Sequence, residues 1–459
     1  MFHSNYFEGL KIPKRIGLRE RIIIMDERTG KKVVSPSHKT RREFMKGTGM
    51  ALAGVALTAA HSRAFAATKG PELRLGLIGC GSRGSGAAQN ALLADRAVKL
   101  YALADPFADQ MEACLAKFKK SRAKDNVVVT PERCFSGLDG YLKVIECCDV
   151  IVMAAPPAFR PAHIEAAVAA GKHVFAEKPV AVDAPGIRSV LESCRKAAEK
   201  NLTIVSGLCY RYEFAKQDTL QRIHDGMIGD ILTIESVYNT GGLWLKERQP
   251  EWSDLEYQLR NWLYYDWLSG DHISEQHIHS LDKTMWVMQD VPPVKATSSG
   301  GRVQRTGEEY GNVYDHFNTV FEWENGAKCF SSCRQWVDCS TNVSDIVVGT
   351  LGRSSLQEHV INTYAGESWQ HERKGPDDMY QNELNAFFEA IRSDNPINNG
   401  EYMCSSNMIA IMGRMAAYSG KTVTWDEAFN SELSLMPESL EWGDMPKREP
   451  AIPGTTVAF

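Results

Sequence analysis

The sequence predicts an α/β chain in two parts: an N-terminal doubly wound parallel sheet, then an α+β domain with a large, mostly antiparallel open sheet. Three observations carry this. Short apolar runs alternate with helix-like runs up to about residue 208, the pattern of successive βαβ units. Beyond about Cys209, stretches such as "YDHFNTVFEWENGAKCFSSCRQWV", with Glu324-Asn325-Gly326 at the bend, read as antiparallel strands joined by turns. The chain has 459 residues, 43% of them hydrophobic, enough for two domains with cores of their own.

In order along the chain, "LRLGLIG" (73–79) is a short apolar strand. Gly79-Cys80-Gly81-Ser82-Arg83-Gly84 follows, and then an Ala-rich helical run. Glycine at 79 permits a tight turn, glycine at 81 lets the backbone approach a pyrophosphate, and glycine at 84 lets helix and strand pack closely. "VKLYALAD" is a second strand ending in Asp105, about twenty residues past the last glycine. A carboxylate there accepts hydrogen bonds from ribose hydroxyls and repels a 2′-phosphate, so NAD is expected rather than NADP. This is the dinucleotide-binding Rossmann pattern. "DVIVMAAPP" (149–157) reads as a buried parallel strand. "AHIEAAVAAGKHVFAEKP" reads as helix, Gly171 stop, strand and then Glu177-Lys178-Pro179; "PGIRSVLESCRKAAEKN" and "LTIVSGL" complete the series. Ligands of such sheets sit at the carboxyl ends of strands, where Pro156, Pro157 and Glu177-Lys178-Pro179 fall. The expected organisation is an N-terminal extension and export signal (1–66), the NAD-binding domain (71–208), a substrate-binding and oligomerisation domain (209–425), and an extended Pro-rich tail (426–459).

Asp and Glu (57) outnumber Lys and Arg (52), so a polyanion such as nucleic acid is not the expected partner. The eleven cysteines are scattered, without Cys-x-x-Cys pairs, which argues against zinc. Cys147 and Cys148 lead into an apolar run and read as buried thiols. A chain this long needs no disulfide framework. At the N-terminus, Arg41-Arg42 with Phe44 and Lys46 precede a weakly apolar stretch (about 47–60), then Arg63 and Ala64-Phe65-Ala66, a small-x-small cleavage site. This order resembles a twin-arginine (Tat) export signal. It predicts a periplasmic protein with no membrane anchor after cleavage. Met25 is the better start, with Met1–Ile24 expected to be disordered or untranslated.

In the second half, "WLSGDHISEQHIHSLDKTMWVM" (267–288) stands out. Read as one helix, it places Glu275, His279 and Asp282 at i, i+4 and i+7 on one face, with Ile278, Leu281 and Met285 on another. Three histidines and three acids within a dozen residues also suit a metal site. A hydride-transfer site needs the same residue types, because an alcohol must lose its proton as its hydride leaves. We take the latter reading and expect no metal.

Gly79-x-Gly81-x-x-Gly84, Asp105, "AEKP" (176–179) and the downstream acid-x-x-x-His-x-x-Asp together resemble the Gfo/Idh/MocA (glucose-fructose oxidoreductase / inositol dehydrogenase) family, in its Tat-exported branch. The likeness covers about 71–425. It implies that Lys178 contacts the substrate hydroxyl and the nicotinamide ribose, that His279 completes proton transfer, and that Glu275 stands where the family usually has Asp. It implies a cofactor set of Gly79, Gly81, Ser82, Arg83, Gly84, Asp105, Pro156, His163, Glu177 and Lys178. His277 falls where many members have Gly; with Arg211, Tyr212 and Asp282 it is a candidate substrate contact. Trp262 and Trp267 are candidate floors for a sugar cleft or core residues. The family's open sheet usually packs against another subunit's, which implies a homo-oligomer, dimer or tetramer.

Free NAD is scarce outside the cytoplasm, and the Tat route carries folded proteins. An exported NAD enzyme is therefore expected to hold its cofactor tightly and regenerate it at each turnover. Two chemistries satisfy this: oxidation of a sugar or polyol hydroxyl coupled to a second acceptor, or transient C3 oxidation of a glycoside with elimination and re-reduction. A non-catalytic nucleotide-binding protein is a further alternative, disfavoured by the intact Lys178, Glu275 and His279.

Overall fold

The structure, a computed structural model, describes residues 70–459 and a small antiparallel pair, Ile24–Met25 with Lys32–Val33. The export signal expected around Arg41, Arg42 and Ala64–Ala66 lies outside the described residues.

The first half contains β1 (Leu73–Ile78), α1 (Ser82–Ala94), β2 (Val98–Asp105), α2 (Ala108–Phe118), β3 (Cys134–Ser136), α3 (Gly140–Cys147), β4 (Val150–Met153), α4 (Arg160–Ala169), β5 (His173–Ala176), α5 (Ala184–Glu199) and β6 (Ile204–Ser206). All six strands are parallel, in the order β3-β2-β1-β4-β5-β6. The central strands are continuous apolar runs because helices cover both faces; every residue of β4 is buried. Strand order reverses between β1 and β4, which opens a crevice at their carboxyl ends. Gly171, in the left-handed region, stops α4.

The second half begins with α6 (Phe214–His224) and β7 (Ile231–Thr240), then four helices: α7 (Asp254–Arg260), α8 (Asp266–Ser269), α9 (His272–Glu275) and α10 (Ile278–Val287). The strands β8 (Lys295–Gly301), β9 (His316–Glu322), β10 (Lys328–Gln335), β11 (Asn342–Gly349), β12 (Gly352–Ser355), β13 (Val360–Thr363) and β14 (Ser368–Gln370) follow. They lead to α11 (Met379–Arg392), α12 (Gly400–Ser419) and a short edge strand β15 (Val423–Thr424). The nine-stranded sheet runs β14-β13-β12-β11-β7-β10-β9-β8-β15; only β7 with β10 is parallel. Alternation along β9 and β10 buries every second residue against the helices. The opposite face carries exposed Phe330 and Leu232. Helix α12, buried along nearly its whole length, packs against α5, α10 and β8 and joins the two halves.

One stretch that sequence places in the second half belongs physically to the first. Helix α11 packs on α1, and its Leu384, Phe387 and Phe388 enter the core formed by β1, β2 and β4. Residues 397–399 then bond along the outer edge of β6 (Ile204 N to Ile397 O, 2.8 Å; Asn399 N to Ile204 O, 3.0 Å). The tail after residue 430 has no helix or strand but is anchored, for example by Tyr314 Oη donating to Ala451 O at 2.9 Å. All eleven cysteines are free thiols; Cys148 is buried and Cys147 only partly. Among the described residues, no helix is long and apolar enough to cross a membrane.

Phe387 is fully buried among residues of the parallel-sheet core. Phe387→Ala is expected to cost about 3–5 kcal/mol in denaturant unfolding. A loss below about 1 kcal/mol would place α11 outside that core.

Candidate active site

The site is built at the carboxyl ends of β1, β2, β4 and β5. Gly79 has φ +90°, and a Cβ there would lie 2.4 Å from Ala155 N. At Gly84 a Cβ would lie 2.0 Å from Gly79 O. Protein packing therefore demands both glycines. Gly81 is different: a Cβ there would meet nothing within 4 Å. No protein atom requires that glycine, so the space beside it suits a ligand's close approach. Gly81 is also the N-cap of α1 and offers no side chain to its first N–H groups, which are free to meet a diphosphate. Asp105 is held at the rim: its carboxylate accepts from Cys80 N (2.8 Å) and Phe107 N (3.0 Å). Burial raises its pKa despite those bonds. The residues present fit a dinucleotide. The glycine turn would hold the diphosphate and Asp105 the adenosine ribose.

Ser82 is exposed at the turn, and Pro156 lies at the end of β4. Arg83 and Glu177 differ from expectation. Arg83 Nε meets Glu177 Oε1 at 2.5 Å and Nη2 reaches Glu383 Oε1 at 3.4 Å, while Tyr380 lies under the guanidinium at 4.6 Å. Both residues brace the segment leading into Lys178. His163 is corrected too. It is buried and stacked on Tyr141 at 4.0 Å, and burial and then Arg160 bring its pKa down to about 3. It is a packing group.

Lys178 follows β5. Its Nζ donates to the backbone carbonyl of Glu275 and lies 3.3 Å from Glu275 Oε1. The two side chains are only 14% and 17% exposed. The single helix expected over Glu275, His279 and Asp282 is broken. Asp271, at φ +67°, starts α9, which ends at Glu275, and α10 starts at Ile278. The break is held by Gln276, whose Oε1 accepts from Thr240 Oγ1 (3.1 Å) and Gln335 Nε2 (2.8 Å). His279 emerges after the break, half-buried, edge-on to Tyr210 at 5.3 Å. Burial, then the charges of Lys178, Lys283 and Arg83, push its pKa well below the ordinary value. Its Nδ1 is buried without a partner among the described residues, which leaves Nε2 as the accessible ring nitrogen. Lys178 and Glu275 are thus paired, and a neutral His279 lies within the electrostatic reach of Lys178.

The four candidate substrate contacts are engaged with protein groups. Asp282 is buried and accepts from Arg211 (2.8 and 2.9 Å) and Ser406 (2.8 Å). Arg211 also pairs with Asp290 at 2.6 Å and lies over the rings of Trp286 and Tyr402. Tyr212 Oη donates to Asn399 Oδ1 at 3.1 Å. His277 is fully buried, with Nε2 2.6 Å from Ser331 Oγ, and burial lowers its pKa to about 3. Trp267 is core, its Nε1 donating to Gln258 at 2.8 Å, and Trp262 packs in the same cluster.

Sequence reasoning missed Glu383, fully buried on α11, whose pKa burial and then Glu177 drive well above the usual carboxyl range. Its separation of 300 residues from Arg83 left no local signal. It also missed the buried Lys283–Asp345 pair beneath Tyr210. Lys283 stands four residues after His279, a spacing that could have flagged it. No group of three or more His, Cys, Asp or Glu side chains suited to a metal occurs among the described residues.

Comparison with known proteins agrees with this geometry. Residues 73–205 match the model described as "Oxidoreductase family, NAD-binding Rossmann fold", and residues 217–355 match the GFO/IDH/MocA C-terminal domain. The chain belongs to the Gfo/Idh/MocA oxidoreductase family. Its cofactor is NAD. Curated relatives of this Gfo/Idh/MocA protein include the 2,7-anhydro-N-acetylneuraminate hydratase of Escherichia coli (strain K12), 26% identical over 42% of this chain and 46% of that protein. They also include a glycosyl hydrolase family 109 protein of Shewanella amazonensis, 23% identical over 48% and 49%. The chain spans about half the length of the curated relatives it matches. Among solved structures, a levoglucosan dehydrogenase in complex with NADH and levoglucosan aligns with TM-score 0.60 at 16% identity, over 77% of this chain and 99% of that one. This likeness shows the shared fold.

The histidines give a pH test. His163 and His277 have folded pKa values of about 3, below the unfolded value of about 6.5. As pH falls, the unfolded chain binds protons first. Their contribution to stability is full above about pH 6.5 and is lost as pH falls toward the folded values. In NMR titration their ring-proton signals should not shift between pH 8 and 5. A midpoint near 6.5 for either would contradict its burial.

Proposed function

We propose that this protein is an exported, NAD-dependent oxidoreductase that moves a hydride between a tightly bound nicotinamide and a hydroxyl carbon of a sugar, glycoside or polyol. The observation that carries this reading is the pairing of Lys178 with Glu275, with a neutral His279 within electrostatic reach of Lys178, at the end of a sheet shaped for NAD. When bound, NAD supplies the hydride acceptor. The chain supplies the rest. Arg83 and Glu177 hold the segment before Lys178. Glu275 orients the Lys178 amine through its carbonyl and carboxylate. His279, kept neutral by burial and neighbouring cations, can accept the hydroxyl proton at Nε2. A small carbohydrate fits this chemistry, since sugar hydroxyls offer both the reacting carbon and anchoring groups. Export through the Tat route and assembly into a homo-oligomer through the open sheet belong to the same proposal.

A second reading has specific support. The site holds two separate candidate bases, and one relative is named a glycosyl hydrolase family 109 protein. Transient C3 oxidation of a glycoside needs one base at the hydroxyl and another at the C2 proton, and Lys178 and His279 would serve. Incubating glycosides in D2O separates the readings: deuterium at C2 of the product indicates the elimination route, and its absence with net oxidation indicates a dehydrogenase.

Lys178→Met should lower kcat by about 10²–10⁴-fold while NAD still binds. Unchanged turnover on the substrate found would remove Lys178 from the chemistry and overturn the mechanism.

A further inference from the structure

The carboxyl ends of the parallel strands are covered by two segments that lie outside the Rossmann unit. Phe107 after β2, Leu138 after β3, Ala158 after β4 and Val182 after β5 share one apolar cluster with Leu255 and Leu259 of α7. Leu435, Met436, Leu440 and Met445 of the tail pack against the same cluster. The two covering segments are tied to each other: Leu255 N donates to Gly443 O at 3.1 Å. They are also tied to the dinucleotide domain. Arg260 of α7 pairs with Asp109 of α2 (3.1 Å) and lies over the Phe107 ring at 3.9 Å, and Trp442 of the tail meets that ring at 6.1 Å. Leu435 N donates to Asp183 Oδ2 at 2.8 Å. Phe107 is two residues past Asp105, so this structure stands at the adenosine end of the cleft.

The strap that leads from β7 into α7 is equally fixed. Buried Asn261 bonds both backbone groups of Lys246 (Oδ1 from Lys246 N, 2.8 Å; Nδ2 to Lys246 O, 3.1 Å), and Tyr264 Oη donates to Trp244 O at 3.0 Å. Its backbone is pinned, yet the Lys246 ammonium makes no hydrogen bond or ion pair among the described residues. It is half-buried within the fields of Arg260, Asp109 and Asp105. A pinned, partly desolvated cation with no counter-ion in contact, only the Trp244 ring at 5.9 Å, and within the field of a ribose-binding carboxylate, fits an anionic ligand.

We propose that residues 243–262 and 435–445 form a fixed cap over the adenosine end of the dinucleotide, with Lys246 contacting its phosphate–ribose edge, so that nucleotide leaves slowly and stays with the chain through successive turnovers. The inference rests on the reading of this chain as an NAD-dependent enzyme and assigns the residues that hold the cofactor captive.

The test uses the folded chain loaded with NADH, mixed with excess NAD, following loss of energy transfer from tryptophan to the bound nicotinamide. Wild-type release is expected on the order of a minute or slower. Trp442→Ala, which loosens the cap from a half-exposed position, and Lys246→Met should each release NADH at least about tenfold faster. Sub-second release from the wild type, or wild-type rates in both variants, would overturn the cap. Acceleration by Trp442→Ala with none by Lys246→Met would keep the cap and remove Lys246 as its contact. If no dinucleotide binds the wild type at all, the NAD reading itself fails and the cap falls with it.

Discussion

The contact on which the site depends is the one between Lys178 and Glu275. Lys178 ends a strand of the parallel sheet, and Glu275 ends a short helix of the second half, 97 residues away in sequence. Their hydrogen bond and ion pair join the two halves where the reaction is proposed to occur. Neither end is free to drift. Glu177, next to Lys178, is clamped by Arg83; Gln276, next to Glu275, is tied to Thr240 and Gln335. The amine is thus placed by two rigid scaffolds, the condition under which a proton-transfer group keeps its geometry.

The surrounding charges act through burial. His279 is desolvated and flanked by cations, so its neutral form is favoured. Beneath it, Tyr210 is covered by Lys216 and Lys283, each balanced by its own carboxylate, Glu213 and Asp345. Arg211 with Asp282 and Asp290 forms a second buried set. These pairs hold the helix that carries His279. Sequence shows their residue types but not their partners.

That limit explains what was legible. The glycine turn, Asp105 and the strands to Ser206 were readable because each depends on neighbours a few residues away: an apolar run, a turn glycine, a strand-end carboxylate. Lys178 and His279 were readable as chemistry-bearing residues in recognisable surroundings. The break between Glu275 and Ile278 was not, because it is held by Thr240 and Gln335 from other strands. Asp282 was placed at the site by its position seven residues after Glu275 and Arg211 by the family resemblance; here they satisfy each other in the interior. The amphipathic pattern of α11 showed a helix, yet nothing local says that Phe387 crosses back into the first core. The tail expected to be extended from residue 426 begins inside a short helix, Trp425–Phe429, and its seat against the strand ends depends on tertiary contacts alone.

The proposed mechanism requires the nicotinamide end of the cofactor to reach Lys178, Glu275 and His279. A crystal structure of the protein with NADH tests it most directly. The expected density has the diphosphate against Gly81, the adenosine ribose on Asp105, and the nicotinamide ring in contact with Lys178 on the side that faces His279. A nicotinamide directed elsewhere, with Lys178 and Glu275 still paired and out of its reach, would contradict it.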